Sequence, residues 1–528
     1  MLIYPTDRVK KIAGGFSGLF GAALSSFFGA QGHDFQKSGI MLKMNDGTDQ
    51  LVFMSSGGFV ADEAALHAAY CCKGASGLKC CLLCANIFNY RIRPEIVNED
   101  ASGLAQHHTT HDYSKLRLHT LQSIEAILRK LEHASHTSNK AEFEELEKRL
   151  GWNYVPDGVM WNQALRPLIE PTSHAIYDWM HIVFVHGVFG VHMGQTMIGL
   201  KEHGVTYAKL HDYVTTFEWP RFSRSVSGKD ACAPKRAKSS WDDKLFKATA
   251  SEALSLAPVF ANFFRHFLRS AESDNAKGHA GSFLQLIRVV ELILKSARYR
   301  VAPVVLQEAI ARYLEGFHAL YGPDLMITKF HYLLHLPKYL QAYGFLPNCF
   351  VHERKHRMPK RFANQVTNIT ANWERSVHRD VTCNHIHVLC QDDNRFNVGA
   401  SLINPYQPSA NMKERLRDAM GPCEFEVANC ARAPSYEKFF RHDVVLYKAG
   451  GMLGAGRVEF ITAVEQNGDT TLVVGLVKFT HVRETLRGHH WTNDENVELV
   501  LLSSILGAVA WNIAANSQIF TLTPLCMR

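Results

Sequence analysis

Two hydrophobic periods divide this chain. Between residues 251 and 321 apolar side chains return with a helical period, and Leu286, Val289, Val290, Ile293 and Leu294 fall on one helical face. Between 442 and 479, in HDVVLYKAGGMLGAGRVEFITAVEQNGDTTLVVGLVKF, β-branched residues alternate with their neighbours and glycine-rich turns intervene, which is the pattern of paired strands. One repeating architecture cannot hold both. At 528 residues the chain is long enough for two or three domains with ample core. No internal repeat or low-complexity tract interrupts it.

A hydrophobic content of 46% with 11% aromatic residues excludes a disordered chain. The 57 basic and 50 acidic residues leave a net charge of +7. That balance is compatible with a polyanionic partner, but the charges are dispersed and do not specify one. Twelve cysteines, some adjacent as Cys71-Cys72 and Cys80-Cys81, do not read as a disulfide framework in a chain this long and imply a reducing compartment. The 28 histidines favour metal sites without locating one. Residues 12–30, IAGGFSGLFGAALSSFFGA, follow Lys10-Lys11 and mimic a signal peptide, but their glycine and phenylalanine spacing suits a buried helix better. No run reads as a membrane-spanning helix.

Locally, GIMLKM (39–44) and LVFMSS (50–55) flank NDGTD, a hairpin signal, and GGFVAD makes a third short strand ending at Asp62. Helices are expected over 114–134 and 140–150, the second with Asn139 and Glu142 at capping-box spacing and Gly151 as its stop. The polar stretch 221–240 reads as a linker or mobile loop. Residues 251–321 form a helical block, and 401–528 a separate β-rich module ending in two strands, ILGAVAW and IFTLTPL.

Four groups of residues can carry chemistry. Asp62 ends a strand, where a helix N-cap is the ordinary role and a metal ligand the other. Cys81 and Cys84 form a Cys-x-x-Cys pair able to grip one Zn2+, which needs two further ligands. His107 and His111 of QHHTTH, one helical turn apart, are candidates alongside Cys71 and Cys72. Asp178 and His181 share one helical face. Finally, FHYLLHLPKYLQAYGFLPNCFVHERKHRMPKRFANQ (330–365) holds His331 and His335 one turn apart. Further along it places Glu353 among Arg354, Lys355, Arg357, Lys360 and Arg361, which suit a phosphate backbone.

Taken in order, these elements resemble the catalytic region of CACTA (En/Spm-type) DNA transposases. The resemblance covers about residues 35–380. It rests on Gly39-Ile40, Leu51-Val52-Phe53, Phe59 to Asp62, Lys73-Gly74, Cys81 to Cys84, Asp178-Trp179-Met180-His181, and HYLLHLPKYLQAYGFLPNCFVHER. It implies an α/β fold: an RNase H-like core over 1–181 and 341–400, interrupted by an all-α insertion over 182–340 and followed by the β-rich module of 401–528. It further implies chemistry by two Mg2+ or Mn2+ ions held on three acids, with Asp62 as the second, Glu353 as the third and Asp178 with His181 in support. The first acid has no clear counterpart. Asp46 and Asp49 lie 16 and 13 residues before Asp62, too close to match the family spacing. The expected protein is therefore a shortened or decayed transposase, nuclear and bound to double-stranded DNA, catalytically inactive, with no membrane association and with room for a homo-oligomer. Two alternatives stand beside it: an active nuclease using Asp46 or Asp49, and a zinc-stabilised structural or interaction protein with no DNA role.

Overall fold

The computed structural model describes residues 9–525 apart from 29–33, 45, 89–111, 298–300, 351–372, 391–399, 422, 436, 467–468 and 515–516. The chain combines helices with sheets and divides into two compact units. Unit 1 is Met1–Val191 with Ser296–Ile386, and unit 2 is His192–Lys295 with His387–Arg528.

In unit 1 the helix Gly15–Phe28 is tied down through Ser17, whose hydroxyl donates to Ala69 O at 2.6 Å and accepts from Val159 N at 2.9 Å. The signal-peptide mimic is thus a packed helix. The expected hairpin forms from β1 (Ile40–Lys43) and β2 (Asp49–Val52), turning where Asp46 Oδ1 accepts from Thr48 N at 2.9 Å and Gly47 takes φ 84°. Strand β3 (Phe59–Ala61) pairs in parallel with β4 (Ala175–Tyr177), in register Ala61 to Tyr177. The chain turns into a helix immediately after each strand. Helices Leu121–Thr137 and Lys140–Leu150 both begin with reciprocal capping boxes, and Gly151 ends the second in the left-handed region at φ 79°. The Asn139 and Glu142 signal is therefore met residue for residue.

Unit 2 contains the helices Ala250–Ser270 and Asp274–Ser296, and Leu286, Val289, Val290 and Ile293 are buried as their spacing requires. Its strands are β5 (Ser401–Ile403), β6 (Glu424–Ala428), β7 (Cys430–Arg432), β8 (Lys438–Phe440), β9 (Val444–Ala449), β10 (Met452–Gln466), β11 (Asp469–Thr485), β12 (Gly488–Leu501), β13 (Ile505–Ala508), β14 (Trp511–Ile513) and β15 (Ile519–Leu522). Eight of them make an antiparallel sheet in the order β13-β9-β10-β11-β12-β15-β14, with β6 on β10, while β5-β7-β8 make a smaller one. Phe439, Val445, Val458, Ile461, Val474 and Leu476 meet in the core, consistent with the alternation seen in the sequence.

Three expectations need correction. The β-rich tail is not separate, because segment 192–295 folds with it: Arg487 forms a buried ion pair with Glu291, and Glu218 N donates to Trp511 O at 2.7 Å. The expected 182–340 insertion is accordingly split, its part beyond Ser296 belonging to unit 1. Residues 221–240 are not a linker but two 3-10 turns, Arg221–Val226 and Lys229–Cys232, and the start of a helix, Pro234–Asp242. Gly228 supplies the left-handed corner at φ 71°, Pro234 opens the helix, and Ala231 and Cys232 are buried. Lastly, among the described residues Trp179–His203 is, by length and composition, apolar enough to cross a membrane, yet 72% of its most apolar window lies buried inside the protein.

Candidate metal centre

The loop after helix Glu63–Tyr70 carries the Cys-x-x-Cys turn. Its backbone is pinned on both sides: His119 N donates to Leu83 O at 2.9 Å, and Ala85 N to Arg117 O at 2.8 Å. Leu82 N donates to the Tyr177 hydroxyl at 3.1 Å, and Leu83 N approaches Cys81 Sγ at 3.4 Å. These bonds hold both sulfurs on the same side of the turn.

Two histidines face them from the segment that runs from helix Thr328–Tyr332 through the 3-10 turn Leu333–His335. His335 Nε2 lies 3.3 Å from Cys81 Sγ, 3.8 Å from Cys84 Sγ and 3.2 Å from His331 Nε2. One donor atom from each of the four residues falls within 4.8 Å of all the others, and all four residues are buried. A tetrahedron built with Zn–N of about 2.0–2.1 Å and Zn–S of about 2.3 Å has edges of roughly 3.3–3.8 Å. The observed separations match those edges. Hydrogen bonding alone does not explain them, because a ring nitrogen carries at most one proton and His335 Nε2 has three close neighbours. The Cys2His2 set thus fits a metal such as zinc.

The electrostatics favour a thiolate at Cys81 but not at Cys84, whose thiol is pushed well above the ordinary range by its bond to Cys81 and by burial, so that only a bound cation would make both sulfurs thiolates. Against the upward push of burial, the Cys84 thiol and the two imidazoles hold Cys81 well below the ordinary thiol range. Burial pushes His335 down, so the ring is neutral and available as a ligand. Two thiolates and two neutral imidazoles around a divalent cation leave no net charge, which suits a dry site. An aromatic layer backs it: Tyr177 stacks on Tyr332 with centroids 4.1 Å apart, and His67 Nε2 sits 3.3 Å from the Tyr177 hydroxyl. Only His335 among the four ligands lines the neighbouring cleft of about 240 Å³.

The ligand set corrects the sequence reading in part. Cys81 and Cys84 converge as expected, but the histidines are His331 and His335. Neither Cys71, whose thiol donates to Ser17 Oγ at 3.1 Å, nor Cys72 belongs to the cluster. His107 and His111 lie outside the described residues. The signal for this pair was present in the sequence, since His331 and His335 stand one helical turn apart.

The acids have other engagements. Asp62 caps helix Glu63–Tyr70, its Oδ1 accepting from Ala65 N at 2.6 Å. Asp178, 1% exposed, accepts from Met180 N at 3.1 Å, His181 N at 3.4 Å, Cys349 N at 3.1 Å and His181 Nδ1 at 2.5 Å. Asp178 N donates to Ala61 O at 3.1 Å, so the two acids follow the ends of neighbouring parallel strands. Asp46 and Asp49 are exposed on the hairpin. Glu353, Arg354, Lys355, Arg357, Lys360 and Arg361 lie outside the described residues. Among the described residues none of these acids joins a group of three or more metal-ligand donors.

No protein-family model, curated protein or solved structure matches the chain.

Proposed function

We propose that the chain is a transposase-derived, DNA-associated protein that has kept an RNase H-like core as a zinc-stapled scaffold and does not cleave DNA. The observation that carries this reading is the pairing of β3 with β4, which sets Asp62 and Asp178 after adjacent parallel strand ends. In the same unit the zinc ligands join the Cys-x-x-Cys turn to the His-x3-His segment. Strand-end acids side by side are what a two-metal nuclease requires, but the inactivity follows from how they are used. The Asp178 carboxylate spends both oxygens on four donors, and Asp62 serves as a cap. The metal's part in this reading is to hold two distant stretches of chain together through Cys81, Cys84, His331 and His335.

The test is fluorescence anisotropy on labelled duplex DNA over a salt series, paired with a supercoiled-plasmid nicking assay in Mg2+ or Mn2+. Binding that weakens steeply with salt, without nicking, is expected. Robust nicking that vanishes in Asp46→Ala or Asp49→Ala would overturn the inactivity. Absence of DNA binding from a zinc-loaded protein would instead support a structural or interaction role, which the four-ligand centre favours independently.

A further inference from the structure

Unit 2 carries basic side chains on a turn and two strands, two of them acting on one buried acid and two on the thiol that this acid also faces. The turn Arg221–Val226 packs beside β8, and Asp443, 5% exposed, joins them. Its Oδ1 accepts from Arg221 N at 3.0 Å and its Oδ2 from Phe440 N at 2.9 Å. Both oxygens are thereby committed to backbone amides. Burial pushes this carboxyl up, while Arg221 and Arg224 are close enough to pull it down. Arg432 and Lys438, together with Asp443, act in turn on the nearby Cys430 thiol.

The strand register adds a second observation. Arg432 and Lys438 are direct cross-strand partners in the antiparallel pair β7–β8. The intervening partners Ala431 and Phe439 are fully buried, so the two cations stand on the opposite face. Like charges directly opposite weaken a strand pair, and an anion lying across them reverses that effect. Arg224 Nε donates to a backbone oxygen, that of Trp219, at 3.4 Å. Phe222, on the same turn, is 41% exposed.

We propose that Arg221, Arg224, Arg432 and Lys438 form a surface in unit 2 that grips the phosphate backbone of duplex DNA. The inference rests on the DNA-associated reading above and gives the β-rich tail a role in it, separate from the basic run at 354–361. The cations are spread over a turn and two strands. That arrangement suits a polymer of regularly spaced phosphates better than one small anion. Arginine's planar fork matches phosphate oxygens in pairs.

The test uses the full, zinc-loaded chain and a fluorescein-labelled duplex of random sequence, with affinity read against salt. The triple variant Arg224→Gln, Arg432→Gln, Lys438→Gln should bind at least about tenfold more weakly at low salt. Its slope of log affinity on log salt should shrink by about 0.9 for each phosphate that the surface no longer neutralises. The single variant Lys438→Gln should lose about one such unit, which keeps the test decisive if the triple variant folds poorly. A control removing equal charge from helix Ala410–Met420, Lys413→Gln, Arg415→Gln, Arg417→Gln, should change affinity by no more than about twofold. Wild-type affinity and slope in the Lys438 and triple variants would overturn the surface while leaving the DNA reading intact. Equal losses in the control would also overturn it, because net charge alone would then account for binding. If the wild-type chain itself fails to bind at low salt, the DNA reading falls and the surface falls with it.

Discussion

Removing His335 tests the metal centre most directly. The residue is 2% exposed, and its Nε2 is the atom on which three of the cluster's short separations converge. His335→Ala therefore takes away one of four ligands and leaves two buried sulfurs beside one imidazole. With free zinc about a thousandfold above its dissociation constant, binding to the folded state alone stabilises it by about 4 kcal/mol. For a unit of this size that corresponds to about 7 °C in the unfolding midpoint. The assay is metal analysis of reduced protein together with thermal scans, with and without a chelator. Wild type should carry one zinc per chain and lose about 7 °C on chelation. His335→Ala should carry little zinc and show no chelator-dependent shift. The same should hold for Cys84→Ala, while His107→Ala and His111→Ala should behave as wild type. Stoichiometric zinc in His335→Ala, or its loss in His107→Ala or His111→Ala, would refute the ligand set.

Two further outcomes are expected. Asp178→Asn should destabilise unit 1 by about 2–4 kcal/mol in urea titrations, because an amide keeps one acceptor oxygen and turns an NH2 toward groups that already donate. His192, fully buried against Phe283, has its pKa pushed down to about 3 by burial and by the neighbouring His279. The unfolded chain therefore takes up a proton below pH 6.5 that the folded chain refuses, and stability is lost as pH falls. Between pH 6.5 and 4.5 this one group costs unit 2 about 2 kcal/mol. In His192→Leu the decline measured by denaturant midpoints should be shallower by that amount, and an unchanged slope would refute the assignment.

Much of the local structure was legible in the residues because it depends on short-range physics. The Asn139 and Glu142 capping box, the Gly151 stop, the hairpin at Asp46-Gly47 and the alternation through β9 to β12 each need only a few neighbouring residues, and each stands where the sequence puts it. The Cys81-x-x-Cys84 turn belongs to the same class, since one tight turn sets both sulfurs. Other features are decided by contacts between residues far apart in the chain. His335 lies 254 positions from Cys81, and nothing local distinguishes a helical histidine pair that meets two thiols from one that does not. Residues 221–240 look like a linker in isolation because their order comes from packing Ala231 and Cys232 inward and from Asp443 accepting from Arg221. The union of 192–295 with the tail depends on Glu291 meeting Arg487, 196 residues on. A buried carboxylate and guanidinium each require a partner, and only the assembled fold determines which one is within reach.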